Sequence, residues 1–160
     1  MIKCEFEDGG KGQLRHAVVD TIVVKNGKVL LVRRGTFNGK PILESGKWAL
    51  IGGFMERDET MKETAQREVE EETGWEIDDP RLFRIIDDPN RPAEDRQNIA
   101  FVVVAEAKQK NEAKSEEVRE MKWFDLDELP PKEQIAFDHA ENLELYKKYL
   151  EEKFSLPATD

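Results

Sequence analysis

The sequence predicts an α/β or α+β sandwich, built as one domain over residues 1–160. Three observations carry that prediction. Two apolar, β-branched runs flank Asn26-Gly27, a strong hairpin signal. Thr60 and Glu63 have the spacing of a helix capping box, and Gly74 suits the stop that follows. Toward the end, Phe137, Ala140, Leu143, Tyr146 and Leu150 recur every three or four residues, the period of a second amphipathic helix. No internal repeat or linker divides the chain, and 160 residues suffice to bury a core without staples.

In chain order, residues 17–34 read AVVDTIVVKNGKVLLVRR. Apolar residues fall on both faces of each strand, so the sheet is expected to be covered on both sides. Residues 35–47 are turn-rich and read as a long loop. Trp48 to Ile51 forms a short strand that Gly52-Gly53 breaks. After the capped helix, Leu82 to Ile86 and Ile99 to Ala105 read as strands, with a polar loop holding two prolines between them. Met121 to Phe124 is a last short strand before Pro130-Pro131. A helix is expected from about Glu133 to Lys153, and residues 154–160 are expected to be a loose, flexible tail.

Composition narrows the function. There are 25 basic and 35 acidic residues, a net charge of −10. This argues against binding nucleic acid through bulk electrostatics. A small phosphorylated ligand remains open if acids hold metal ions that face its phosphates. Cys4, the one cysteine, cannot make an internal disulfide or a multi-thiolate zinc site. No apolar run approaches the roughly 20 residues of a membrane helix, and the acidic start does not read as a signal peptide. A soluble cytoplasmic protein is the expectation, with no membrane partner.

The informative segment is GGFMERDETMKETAQREVEEETGW, residues 52–75. At about 100° per residue, Glu71 lies about 60° to one side of Glu68 and Glu72 about 40° to the other. Three carboxylates on one helix sector repel one another unless a cation compensates. Hard oxygen donors of this kind suit Mg²⁺ or Mn²⁺. Met61, Ala65 and Val69 form the apolar stripe beside them. A run such as EVEEE can equally be a solvated helix face, and the surrounding spacing distinguishes the two. Gly53 is followed after five residues by Glu59, and after seven more by Arg67-Glu68-Val69. One residue further stand Glu71-Glu72, then Thr73, Gly74 and Trp75.

This pattern resembles the Nudix box of the Nudix hydrolases at every specified position, with Trp75 where the family usually has an aliphatic residue. The preceding Trp48-Ala49-Leu50-Ile51-Gly52-Gly53 is similar to the family's strand, with Ile51 in place of proline. The resemblance implies a Nudix-type α/β/α sandwich with a mixed β-sheet and a loop-helix-loop catalytic motif. It implies metal-dependent attack of water on a phosphoanhydride in a nucleoside diphosphate derivative. By the same resemblance Glu68, Glu71 and Glu72, with the Gly53 carbonyl, hold Mg²⁺ or Mn²⁺, and Glu71 or Glu72 can also pass a proton. Arg67 and Glu59 are implied to form a charge pair that steadies loop and helix. Nudix enzymes draw the general base from the box helix or from a later loop. Glu116, Glu117 and Glu120 are the later candidates here, and a solvated acidic loop is their alternative reading.

Two further features resemble the ADP-ribose pyrophosphatase-like branch: Asp20 inside the β-run VVDTIVV, and Ala136-Phe137-Asp138-His139 at the last helix. From its place on the apolar stripe, His139 reads as a packed histidine. His16 receives no role. A selector proline that another ADP-ribose branch carries beyond the box is replaced by Asn90 and Arg91, and the signature for NADH substrates is missing. A diphosphate needs basic partners beyond its metals, and Arg33, Arg34, Arg91 and Arg96 are the candidates. Phe37 or Phe54 could stack on an adenine. The expected partner is a small nucleotide, first ADP-ribose, cleaved to AMP and ribose 5-phosphate. The rivals are a MutT-like nucleoside triphosphate pyrophosphohydrolase and a Nudix module that binds ADP-ribose without cutting it. Proteins of this kind are often dimers, so a homodimer is compatible with the resemblance.

Overall fold

The computed structural model describes residues 2–91, 97–112 and 115–159. A detached antiparallel hairpin comes first, β1 (Ile2–Glu5) with β2 (Lys11–Leu14). The main hairpin follows, β3 (His16–Lys25) and β4 (Lys28–Arg34). Asn26 and Gly27 join them with φ of 51° and 77°, the left-handed pair that a tight two-residue turn requires. The expected loop at 35–47 holds a small hairpin of its own, β5 (Thr36–Phe37) and β6 (Lys40–Pro41), turned by Asn38 and Gly39 at φ 48° and 74°.

Next come β7 (Trp48–Ala49), β8 (Ile51–Phe54) and α1 (Met61–Thr73). The capping box is complete: the Glu63 amide donates to the Thr60 hydroxyl, and the Thr60 amide donates to the Glu63 carboxylate at 2.8 Å. Gly74, at φ 72°, closes the helix by donating its N–H to the Glu70 carbonyl. Strands β9 (Trp75–Ile86), β10 (Asn98–Lys110) and β11 (Val118–Asp125) are all longer than their apolar cores suggest. In β9 the turn-like Asp78-Asp79-Pro80 sits at a bulge, where the register against β10 shifts between Val104 and Glu106 and Asp79 takes φ 39°. A bulge is where a strand accepts proline.

The C-terminal helix is shorter than its periodicity suggests. Residues Lys132–Gln134 make one 3₁₀ turn, and α2 covers His139–Glu152. Between them the Ala136 amide donates to the Trp48 carbonyl at 2.7 Å and Phe137 takes φ 54°, so the chain cannot be helical there. The segment expected as a loose tail is partly tied down. Phe154 packs edge-on against Tyr149, and β12 (Ala158–Thr159) runs parallel to β9.

The large sheet has the order β11-β4-β3-β10-β9-β12, with β7 on β4 and β8 on β3. Its β3–β10 and β9–β12 pairs are parallel and the rest antiparallel, so it is mixed. Alternation along β3 gives the sheet two apolar faces. Val18 and Ile22 join the core under α2 with Leu143 and Tyr146, while Val19 and Val23 join the core under α1 with Ala65 and Val69. Helices on both faces of one sheet make the α/β/α sandwich that the resemblance implied. No helix among the described residues is long and apolar enough to cross a membrane.

Candidate active site

A cleft of about 960 Å³ opens where β3, β8 and α1 meet the start of α2. Glu68, Glu71 and Glu72 line it from α1, as their spacing predicts, and Gly53 lines it from β8. Gly53 is needed there for space: a Cβ on it would stand 2.3 Å from Oε1 of Glu68. The neighbouring Gly52 is needed for a different reason, since its Cβ would fall 1.9 Å from the Val19 carbonyl oxygen of the adjacent strand.

Arg67 organises the motif. Its Nε and Nη2 donate to the two oxygens of Glu59 at 2.6 and 2.9 Å, and its Nη1 donates to Glu68 at 2.8 Å. Nη2 also reaches the Phe54 carbonyl at 3.2 Å, and Nη1 lies 3.4 Å from Glu71. The guanidinium holds the Glu59 carboxyl down at about 2, and Thr64 adds a hydroxyl at 2.9 Å. The expected charge pair is therefore present, and it clamps loop to helix.

Burial pushes the Glu68 carboxyl up, against the pull of Arg67. Burial, and then the charges of Glu68, Glu117 and Asp20, push the half-buried Glu72 to about 8, with Arg34 opposing them. Among the described residues no three His, Cys, Asp or Glu side chains converge on one metal-sized point, and Arg67 lies against both Glu68 and Glu71. The donor set nonetheless fits a hard divalent cation: carboxylate oxygens around an excess of negative charge, with a glycine that gives Glu68 room.

The other expected residues divide. Arg34, Phe54, Arg91 and Glu117 line the cleft. Arg34 donates to the Leu43 carbonyl at 2.7 Å and lies 5.0 Å from the Phe137 ring, with Glu72 and Glu117 acting on its charge. Arg91 is buried, and its Nη2 donates to Asp138 at 2.8 Å. Arg33 is not among the lining residues: it packs on Trp48 and pairs with Glu120 at 3.4 Å, which also removes Glu120 from the cleft. Glu116 and Phe37 do not line it either. Arg96 lies outside the described residues.

Three lining residues carried little or no role in the sequence. His16 sits at the rim with its ring 5.0 Å from that of Phe54. Asp20 and His139 face each other inside, with Nε2 of His139 3.5 Å from Oδ1 of Asp20. His139 is packed as expected, 4 % exposed, and it also forms part of the cleft wall. The alternation His16, Val18, Asp20 along one face of β3 was the available signal.

The NUDIX domain family model matches residues 14–146, a span that contains the whole cleft. The chain belongs to the Nudix family. It is 35 % identical over 135 residues to an ADP-ribose pyrophosphatase of Methanocaldococcus jannaschii, covering 82 % of this chain and 72 % of that protein. It is 30 % identical over 129 residues to an oxidized purine nucleoside triphosphate hydrolase of Danio rerio, covering 73 % and 70 %. Among solved structures, a NUDIX hydrolase from Nitrosomonas europaea superimposes with a TM-score of 0.73 at 26 % identity, over 95 % of this chain and 80 % of that one. The protein is thus a Nudix hydrolase, of a family that acts on small nucleotides and generally uses divalent metal ions.

Proposed function

We propose that this Nudix hydrolase cleaves ADP-ribose to AMP and ribose 5-phosphate with Mg²⁺, for which Mn²⁺ can substitute. The observation that carries the reading is a cleft of about 960 Å³ that Glu68, Glu71 and Glu72 line together with Arg34, Phe54 and Asp20. It has room for a diphosphate carrying a group on each side. The Methanocaldococcus relative supports the same substrate.

Glu68, Glu71, Glu72 and the Gly53 carbonyl would hold the ion. When bound, it neutralises charge on the phosphate oxygens and makes a water more acidic. The chain supplies the rest. Arg67 and Glu59 fix the carboxylates. Arg34 offers its guanidinium to a phosphate oxygen. Glu71 or Glu72 takes the proton of the attacking water, and Glu117, which also lines the cleft, is the alternative acceptor.

The second reading is a nucleoside triphosphate pyrophosphohydrolase, favoured by the Danio rerio relative. One experiment separates them. Purified protein with Mg²⁺ is offered ADP-ribose, NADH, sugar nucleotides and nucleoside triphosphates, and the products are resolved by chromatography. AMP with ribose 5-phosphate as the fastest products supports the proposal. Pyrophosphate release from triphosphates as the dominant reaction contradicts it, and binding of ADP-ribose without products makes the protein a sensor.

A further inference from the structure

Phe137 stands where the backbone least suits it. The His139 amide donates to the Ala136 carbonyl at 3.2 Å, closing a tight turn in which Phe137 is second, at φ 54°. Glycine, asparagine and aspartate usually take such a place, because a bulky side chain is strained there. The turn cannot relax, since its flanks are fixed. The Ala136 amide donates to the Trp48 carbonyl at 2.7 Å, Ile135 bridges to Trp48, and the Leu50 amide donates to Nδ1 of His139 at 2.9 Å. A strained residue that its surroundings hold in place points to a function for its side chain.

That side chain lines the cleft beside Arg34. The Arg34 Cζ stands 5.0 Å from the centre of the ring, within cation–π reach. Its Nε donates to the Leu43 carbonyl at 2.7 Å. One nitrogen and one face of the guanidinium are thus taken. Nη1 and Nη2 have no hydrogen-bond or ion-pair partner among the described residues, although Glu72, Glu117, Asp20 and Glu44 all act on the charge. An arginine beside carboxylates tends to pair with one of them. Held from two sides, this one keeps its two terminal nitrogens free, as a fork that suits the oxygens of a phosphate. Little rotamer freedom then remains to be lost when a ligand arrives.

We propose that Phe137, with the Leu43 carbonyl, forms a platform that presents Arg34 to a phosphate of the substrate. Phe137 is a positioning residue in this scheme and acts through Arg34. This rests on the phosphate contact given to Arg34 under Proposed function, and not on which nucleotide is cleaved.

The test is a double-mutant cycle on kcat/KM of the full chain with Mg²⁺, using wild type, Phe137→Leu, Arg34→Ala and the double variant. ADP-ribose and ATP are both used, since each carries a diphosphate. Phe137→Leu should lower kcat/KM about fivefold to tenfold when Arg34 is present, and by less than about twofold once Arg34 is alanine. Phe137→Tyr keeps the ring face and should stay within about twofold of wild type. A side chain that only packs, or one that stacks directly on a base, gives the same loss with and without Arg34, and that equal loss overturns the proposal. So does a Phe137→Leu variant as active as wild type, or a Phe137→Tyr variant as impaired as Phe137→Leu. If Phe137→Leu does not fold, Phe137→Gly, which the positive φ favours, takes its place in the cycle with the same outcomes. Unchanged kcat/KM for Arg34→Ala removes the phosphate contact and the platform with it. A loss for Arg34→Ala that the Phe137 variants do not share leaves that contact standing and refutes the platform alone. Should neither nucleotide be cleaved, the same cycle is read from pyrophosphate binding with Mg²⁺ by calorimetry, and the same outcomes decide.

Discussion

Arg67 grips both oxygens of Glu59 at once, from Nε at 2.6 Å and from Nη2 at 2.9 Å. The same guanidinium holds Glu68 with its remaining nitrogen and touches the Phe54 carbonyl. One side chain thus ties the loop before α1, the end of β8 and a carboxylate of the cleft together. A lysine cannot reproduce that fork. Arg67→Lys should lower kcat/KM by about 10- to 100-fold through misplacement of Glu68, while circular dichroism shows the fold retained.

The same pair sets an acid limit on stability. The Glu59 carboxyl is held at about 2 in the folded chain against an ordinary value of 4.5. A depressed folded value means the unfolded state takes up the proton first. The contribution of Glu59 is therefore fully present above pH 4.5 and fades as the pH falls toward 2. Thermal melts of wild type and Glu59→Gln should differ most at neutral pH and converge on acidification. A constant gap across that range would detach the pair from acid stability.

The two adjacent glycines should fail in different ways. At Gly53 the obstacle to a Cβ is the far end of Glu68, which can swing aside. Gly53→Ala should keep its melting temperature and lose kcat by about 10²-fold, near 2.7 kcal/mol of barrier. At Gly52 the obstacle is backbone, the Val19 carbonyl. Gly52→Ala should instead destabilise the fold by more than about 3 kcal/mol, as overpacking against an unyielding strand does. Urea titration together with kinetics on both variants checks the contrast.

Much of this site was legible in the sequence, and the reasons are local. Spacing fixed the shared face of Glu68, Glu71 and Glu72, because a capped helix has one period. The Glu59–Arg67 pair followed from the motif. The arginines outside the motif were less legible. Arg33 turned to Trp48 and Glu120, and Arg91 to Asp138, because an extended strand or a loop does not reveal which side a long side chain takes. The Asp20–His139 contact was hidden for a related reason: each residue stood out alone, but only the packing of the start of α2 on the sheet brings them together. The α2 boundary was misread because apolar periodicity persists through Phe137, whose positive φ answers to the Trp48 contact rather than to local sequence.

The Arg91–Asp138 pair has a consequence for stability. Arg91 is 8 % exposed and its partner Asp138 is half-buried. Removing one member of such a pair leaves the other charge buried and alone. Arg91→Ala should cost about 3–5 kcal/mol in urea unfolding. A large KM change with unaltered stability would return Arg91 to the role of a substrate clamp.

Divalent metal should stabilise as well as activate. Glu72, pushed to about 8 by burial and by neighbouring acids, holds at neutral pH a proton that a bound cation would displace. At a hundredfold excess over its Kd, Mg²⁺ should add about 2.7 kcal/mol, read as a rise in melting temperature. Excess chelator should remove both the rise and the hydrolysis.

The carboxylate face of α1 is tested most directly by Glu71→Gln, Glu72→Gln and Glu70→Gln, compared by steady-state kinetics at saturating Mg²⁺. Each change preserves size and removes one charge. Glu70 is the exposed control on the far side of the helix and is absent from the cleft lining. A metal-holding face predicts that kcat falls about 10²-fold or more for Glu71→Gln and Glu72→Gln and stays near wild type for Glu70→Gln. Small, equal effects at all three positions would contradict it and leave the segment an ordinary solvated helix face.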